Sequence, residues 1–186
     1  MKTEHELAIA LRTMMSEVSL DDISVTSLTK KCHVNRKTFY YHFHDIYDLL
    51  TQVFLDETIP GVLETKDINQ LMKVIYNYYA KNSKFVDATL NSAGKDLFQE
   101  FIYNTCYTNF LRYIVALPEG KKIHSNDRKY IARFYAFAYS NSIVYYLSNY
   151  KSKTFTGLMN CFSFENKNCL EKAVIKVVAE KGKTQQ

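Results

Sequence analysis

Hydrophobic positions recur along this chain at spacings of three and four, and few windows alternate as a half-buried strand would. Leu7, Leu11, Met14 and Val18 predict a first helix over residues 3–18. Leu20 and Ile23 flank an acidic turn, Asp21-Asp22, and are placed to close a small core on that stripe. Ser24 can cap a short helix from Val25, with Leu28 and Cys32 four apart on one side. His33-Val34-Asn35 interrupts it, and Asn35 can cap a second helix over 36–43, whose Phe39 and Phe43 share a side. Ile46, Leu49, Leu50, Val53 and Phe54 form a broader apolar face that predicts a fourth helix toward Thr58, ended or kinked by Pro60-Gly61.

Farther along, Leu71, Val74, Ile75, Tyr78 and Tyr79 mark a helix that ends near Asn82-Ser83, and a short segment follows over 84–90. A longer helix is expected from Gly94 to about Val115, then a loop at 118–122 that holds Pro118 and Gly120. The longest helical pattern covers 127–150. Residues 157–166 read as irregular, 168–181 as a closing helix, and Lys183 onward as a frayed polar tail. Only five Gly and two Pro in 186 residues leave few turns, which favours long helices. The expected fold is all-α, with a three-helix domain over 1–45 and a helical domain over 46–186 that begins with a linking helix at 46–58.

The formal net charge of +5 is unevenly distributed. Residues 1–57 hold six Lys/Arg against nine Asp/Glu, whereas the remainder holds eighteen against ten. Between Lys30 and His44, however, lie Lys30, Lys31, Arg36 and Lys37 and no acid. Two short helices joined by a tight turn, the second opening on Arg36, Lys37 and Thr38, have the layout of a helix-turn-helix reader of duplex DNA. A solvated charged turn on a plain helical hairpin is the alternative that charge alone leaves open.

The run VTSLTKKCHVNRKTFYYHF, followed by DIYDLL, resembles the tetracycline-repressor (TetR/AcrR) family of bacterial transcription regulators. VNRKTFYYHFHDIYDLL is most similar to the branch of dihydroxyacetone kinase regulators, and NSKFVDATLNSAGKDLFQEFI and KYIARFYAFAYSNSIVYYLSN resemble that branch's C-terminal domain. Matched position by position, the resemblance implies that Arg36, Lys37, Thr38 and Tyr41 face bases in the major groove. It implies that Thr26, Ser27, Tyr40 and His42 hold phosphates. Two positions depart from the family pattern: His33 stands where the turn usually has Gly, and Ile46 where many members carry Lys. The resemblance further implies a homodimer on a palindromic operator. A small-molecule effector or a protein co-regulator would act on the C-terminal domain.

Residues 70–146 are rich in Tyr and Phe. Such stripes are usually core, yet buried tyrosine hydroxyls need partners, so a ligand pocket involving Tyr79, Phe101, Tyr107, Phe137 and Asn141 is a second expectation. For the dimer contact, Tyr135, Ala138, Ser142, Tyr145 and Tyr146 form one band and Leu170, Val174 and Val177 another, although either could serve inside one subunit.

Other chemistry finds little footing. His42 and His44 are two apart on a helix and point to different sides, so neither a metal nor a cofactor is expected. Cys32, Cys106, Cys161 and Cys169 have no CxxC spacing and read as reduced thiols, with a disulfide or redox pair between Cys161 and Cys169 as the lesser alternative. No G-x-S-x-G, Gly-rich phosphate loop or H-E-x-x-H occurs, so an enzyme is not expected. MKTEHE is polar and acidic, unlike a signal peptide, and the apolar stretch 131–147 is interrupted by Arg133, Ser140, Asn141 and Ser142. A cytoplasmic protein without membrane contact is expected. The rival to a DNA-binding regulator is a helical adaptor that kept the fold and lost specific DNA binding, which the acidic balance of residues 1–57 and Ile46 would favour.

Overall fold

The computed structural model describes residues 2–163 and 168–184, and among them finds ten α-helices, two 3-10 turns and no strand. The helices are α1 (Lys2–Met15), α2 (Val25–Lys31), α3 (Arg36–His42), α4 (Ile46–Asp56) and α5 (Ile68–Lys81). They continue with α6 (Ser83–Leu90), α7 (Lys95–Ala116), α8 (Ser125–Asn149), α9 (Phe155–Asn160) and α10 (Cys169–Thr184). Among the described residues, no helix is long and apolar enough to cross a membrane.

The helices gather into two compact units. One comprises residues 1–58 with 78–101, and the other 59–77 with 102–186, so α5 and α7 each contribute to both.

In the first unit, α1 packs on α2, α4 and α6, and α2 on α3. Its buried stripe is Leu7, Ala10, Leu11 and Met15. Met14 is only half-buried and Val18 is exposed, because α1 ends at Met15 and Val18 falls beyond it. Leu28, Phe39, Phe43, Ile46, Leu49 and Leu50 complete this core. Below it lies an aromatic cluster in which Phe54 meets Phe85, Phe98 and Phe101 at centroid distances of 5.6, 6.0 and 5.6 Å. Arg12 joins the two layers. Its guanidinium pairs with Glu57, donates to Asn82 Oδ1 at 2.8 Å and lies 4.5 Å from the Phe85 ring centroid.

In the second unit, Leu71, Met72 and Ile75 of α5 and Ile102, Cys106, Phe110 and Ile114 of α7 are buried. So are Ala132, Ala136, Tyr139 and Ile143 of α8. The 3-10 turn Glu119–Lys122 occupies the expected loop. A Cβ on Gly120 would stand 1.7 Å from the Ile114 carbonyl oxygen, so only glycine lets this turn close. The first four residues of the stretch expected to be irregular, 157–160, belong instead to α9. Thr154 caps it by accepting the Gly157 N–H at 3.0 Å, and the Tyr146 hydroxyl accepts the Thr154 N–H at 2.9 Å. Residues 164–166 of that stretch, residue 167 after it, and residues 185–186 of the expected tail lie outside the described residues; α10 continues to Thr184.

Candidate nucleic-acid interface

The turn between α2 and α3 is fixed at both ends by side chains the sequence supplies. At the start of α2, Ser24 Oγ accepts the Ser27 N–H at 3.0 Å and Ser27 Oγ accepts the Ser24 N–H at 3.0 Å, a reciprocal capping box. At its end, the Val34 N–H reaches Thr29 O at 3.0 Å and the His33 N–H reaches Lys30 O at 3.3 Å. That pair of bonds is a Schellman closure, which needs a left-handed residue, and His33 supplies it with φ 55°. Asn35 then accepts the Thr38 N–H at 2.8 Å and the Thr38 hydroxyl at 3.0 Å, opening α3.

Phe39 anchors α3 with no exposed surface, and Phe43 follows with 6 %. This fixes the rotation of the helix. Arg36, Lys37, Tyr40 and Tyr41 all point outward, Tyr41 with 84 % of its surface exposed and Tyr40 with 51 %. Arg36 leans along the helix, its Nη2 3.4 Å from the Tyr40 hydroxyl and its guanidinium 5.8 Å from that ring's centroid. Lys30 and Lys31 of α2 are exposed as well, Lys31 lying 3.8 Å from Glu17.

Of the eight residues expected on DNA, Arg36, Lys37, Tyr40, Tyr41 and Thr26 are exposed. The other three already have partners within the protein. Thr38 and Ser27 are half-buried and serve the caps just described. His42 Nδ1 lies 2.9 Å from Glu4 Oε1, tying the end of α3 to α1.

The same accounting explains how a region of acidic balance presents a basic helix. Glu4 meets His42, Glu17 meets Lys31, Glu57 meets Arg12, and Asp21 accepts the Tyr47 hydroxyl at 3.0 Å. Asp45 caps α4 through the Asp48 N–H at 2.8 Å, and Asp48 accepts the His44 N–H at 3.0 Å. That hydrogen bond holds the Asp48 carboxyl below its usual range. Six of the nine acids are thereby committed, and none of these six partners is one of the outward residues of α3.

The residues expected to line a ligand pocket lie apart from the described cavities. Tyr79 and Phe101 are buried in the first unit, at 7 and 8 % exposure. In the second unit Phe137 and Asn141 are exposed on α8, and Tyr107 is half-buried and stacked on Tyr103 at 6.1 Å. None of the five lines the cavities of about 260, 410 and 630 Å³.

The residues expected at a dimer contact divide in the same way. Ala138 and Tyr145 are exposed, and Tyr135, Ser142 and Val177 are half-buried. Tyr146, Leu170 and Val174 are packed inside the chain itself at 1, 5 and 0 % exposure. The outward face of α8 instead carries Tyr130, Phe134, Phe137 and Tyr145, at 64, 70, 53 and 62 % exposure, with Ala138 and Asn141 between them. The spacing of 130, 134, 137, 141 and 145 follows one helical stripe. None of the four cysteines forms a disulfide, and burial pushes the Cys32 and Cys106 thiols up.

Residues 66–156 match the family model TetR_C_8, described as a transcriptional regulator C-terminal region. The fold is similar to that of a protein named "Dihydroxyacetone kinase operon activator DhaS", with a TM-score of 0.55 and 18% identity, covering 85% of this chain and 92% of that one. No curated protein matches this sequence.

Proposed function

We propose that this chain is a TetR-family transcriptional regulator that reads a palindromic operator as a homodimer, a reading supported by its match to a regulator C-terminal region over residues 66–156 and by its fold. The family is not enzymatic. The observation that carries the proposal is the outward face of α3. Four long side chains, Arg36, Lys37, Tyr40 and Tyr41, are held on one side of a helix whose rotation Phe39 fixes.

A recognition helix presents its first turns to base edges, and an arginine there can donate two hydrogen bonds to guanine. Arg36, Lys37 and Tyr41 read bases in this account, with Thr38 holding the first turn in place through its Asn35 bond. Tyr40 and Thr26 meet phosphate. Ser27 and His42 give up their internal partners if they do the same.

The exposed aromatic face of α8 joins two copies, with Tyr130, Phe134, Phe137, Ala138 and Tyr145 in contact and α10 flanking them through Val177. A change in the C-terminal region, caused by a small-molecule effector or a protein co-regulator, alters the separation of the two α3 helices and with it the affinity for the operator. The structural relative is named as an operon activator; for this chain the direction of control follows from where the operator lies relative to its promoter.

The test is a titration of the protein against random-sequence duplex and against genomic fragments at several salt concentrations. A steep fall of affinity with salt on random duplex, together with at least a thousandfold preference for one genomic fragment, is the expected result. Equal, weak affinity for all fragments would leave a helical adaptor in its place.

A further inference from the structure

A cavity of about 630 Å³ lies where the start of α5, the end of α7 and the start of α10 meet, all within the second unit. Its volume is within the range of about 300–1,000 Å³ typical of small-molecule sites. Ile68, Ala116, Leu117 and Leu170 give it an apolar wall, and Lys66 and Arg112 supply two cations.

Its two carboxylates are placed to offset helix ends. Asp67 accepts the Gln70 N–H at 2.8 Å at the start of α5, and Glu171 stands in the first turn of α10. Negative charge at those places balances the partial positive charge of the helix N-termini. The cations have no such counterweight. Among the described residues, neither Lys66 nor Arg112 pairs with a carboxylate.

Arg112 is nevertheless held rigidly. Its Nη2 donates to Thr65 O at 2.6 Å, to Thr65 Oγ1 at 3.1 Å and to Asn109 Oδ1 at 2.8 Å, all of them neutral oxygens. The guanidinium lies 4.9 Å from the Tyr113 ring centroid, and among the described residues its buried Nε has no acceptor. An oriented guanidinium with unspent donors, beside an apolar wall, is suited to an oxyanion carried on an apolar body.

We propose that this cavity binds an amphipathic organic acid, with its carboxylate or phosphate oxygens at Arg112 and Lys66 and its apolar part along Ile68, Ala116, Leu117 and Leu170. The proposal rests on the reading that the C-terminal region answers to an effector, and it names that effector's class and place.

Octanoate and octyl phosphate are the probes, with octanol and octylamine as controls, and thermal melting and operator binding are recorded in the same titrations. The two acids raise the melting temperature increasingly with concentration, and the alcohol and the amine do not. If only one of the acids does so, the oxyanion site stands and the head group is identified. Ala116→Trp, at an exposed helix position that lines the cavity, and Lys66→Glu each weaken the acids' apparent affinity at least tenfold while the unliganded protein still melts cooperatively. A shift by octanol equal to that by octanoate, no shift by either acid, or an undiminished response in Ala116→Trp would overturn the site. Acid binding that leaves operator affinity unchanged would uphold the site and refute its control of DNA binding. Loss of the acid response with operator binding intact leaves the DNA-binding account standing.

Discussion

Removing Phe134 should loosen the dimer without loosening the fold. The ring is 70 % exposed in the protomer and touches its neighbour Tyr135 edge-on at 5.5 Å, so Phe134→Ala costs little internal packing. An aromatic side chain buries about 150–250 Å² when covered, and truncation of this mostly exposed one to alanine removes about 100 Å² from the proposed contact. At about 25 cal/mol per Å² that is about 2.5 kcal/mol per copy. A two-fold interface uses the residue twice, so the ceiling is about 5 kcal/mol, or a dimer dissociation constant raised about four-thousandfold. Interface area converts to affinity incompletely, so a rise of at least tenfold is the floor. Sedimentation equilibrium from nanomolar to micromolar concentration measures it, with far-UV circular dichroism as the control for folding. An unchanged dissociation constant in Phe134→Ala, or a wild-type monomer near 21.7 kDa at micromolar concentration, would refute the assignment of this face.

Three further outcomes follow from local geometry. His33→Gly relieves a left-handed residue that carries a Cβ and should raise stability by about 1 kcal/mol in urea unfolding, with the α2–α3 turn unchanged. Arg12→Ala strands the Glu57 carboxylate and removes the Asn82 bond, costing about 2–4 kcal/mol, and Glu57→Gln in the same chain should recover part of that loss. Asp48 has a carboxyl pKa lowered chiefly by the His44 N–H, so its contribution is present above the unfolded-state value and lost as pH falls through the folded one. Asp48→Asn should therefore flatten the acid limb of the stability profile, and identical limbs in both proteins would count against the hydrogen bond.

The helices α2, α3 and α4 were legible because each is amphipathic and capped by a side chain of a type suited to it. Ser24, Asn35 and Asp45 all cap as their residue types imply, and Phe39 and Phe43 are buried as their spacing requires. His33 was legible only as the residue standing where such a turn usually has glycine, which left open whether it takes or avoids a positive φ; the structure has it at 55°. The long C-terminal helices were harder to phase. α8 carries large apolar or aromatic residues nearly all the way round, so its pattern admits several rotations, and only packing selects the one that buries Tyr146 and exposes Phe134. α9 was missed because its stabilising contact is tertiary. The Tyr146 hydroxyl holds Thr154, and a Cβ on Gly157 would come within 2.2 Å of that hydroxyl oxygen, a proximity no local pattern announces. The internal partners of Ser27, Thr38 and His42 were likewise invisible to motif matching, which sees residue type and not what each side chain already bonds.

The proposed reading of DNA by α3 turns on Arg36. Selection from a library of randomised duplexes, run with wild type, Arg36→Ala and Tyr40→Phe, measures it directly. A bidentate contact to a base is worth about 1–3 kcal/mol of discrimination, whereas a phosphate contact carries no sequence information. Wild type should enrich a palindrome, Arg36→Ala should lose preference at one position in each half-site, and Tyr40→Phe should bind every sequence more weakly with the same preferred site. An Arg36→Ala protein that keeps the full preference profile at lower affinity would contradict the account, and a wild type that enriches nothing would contradict it more deeply.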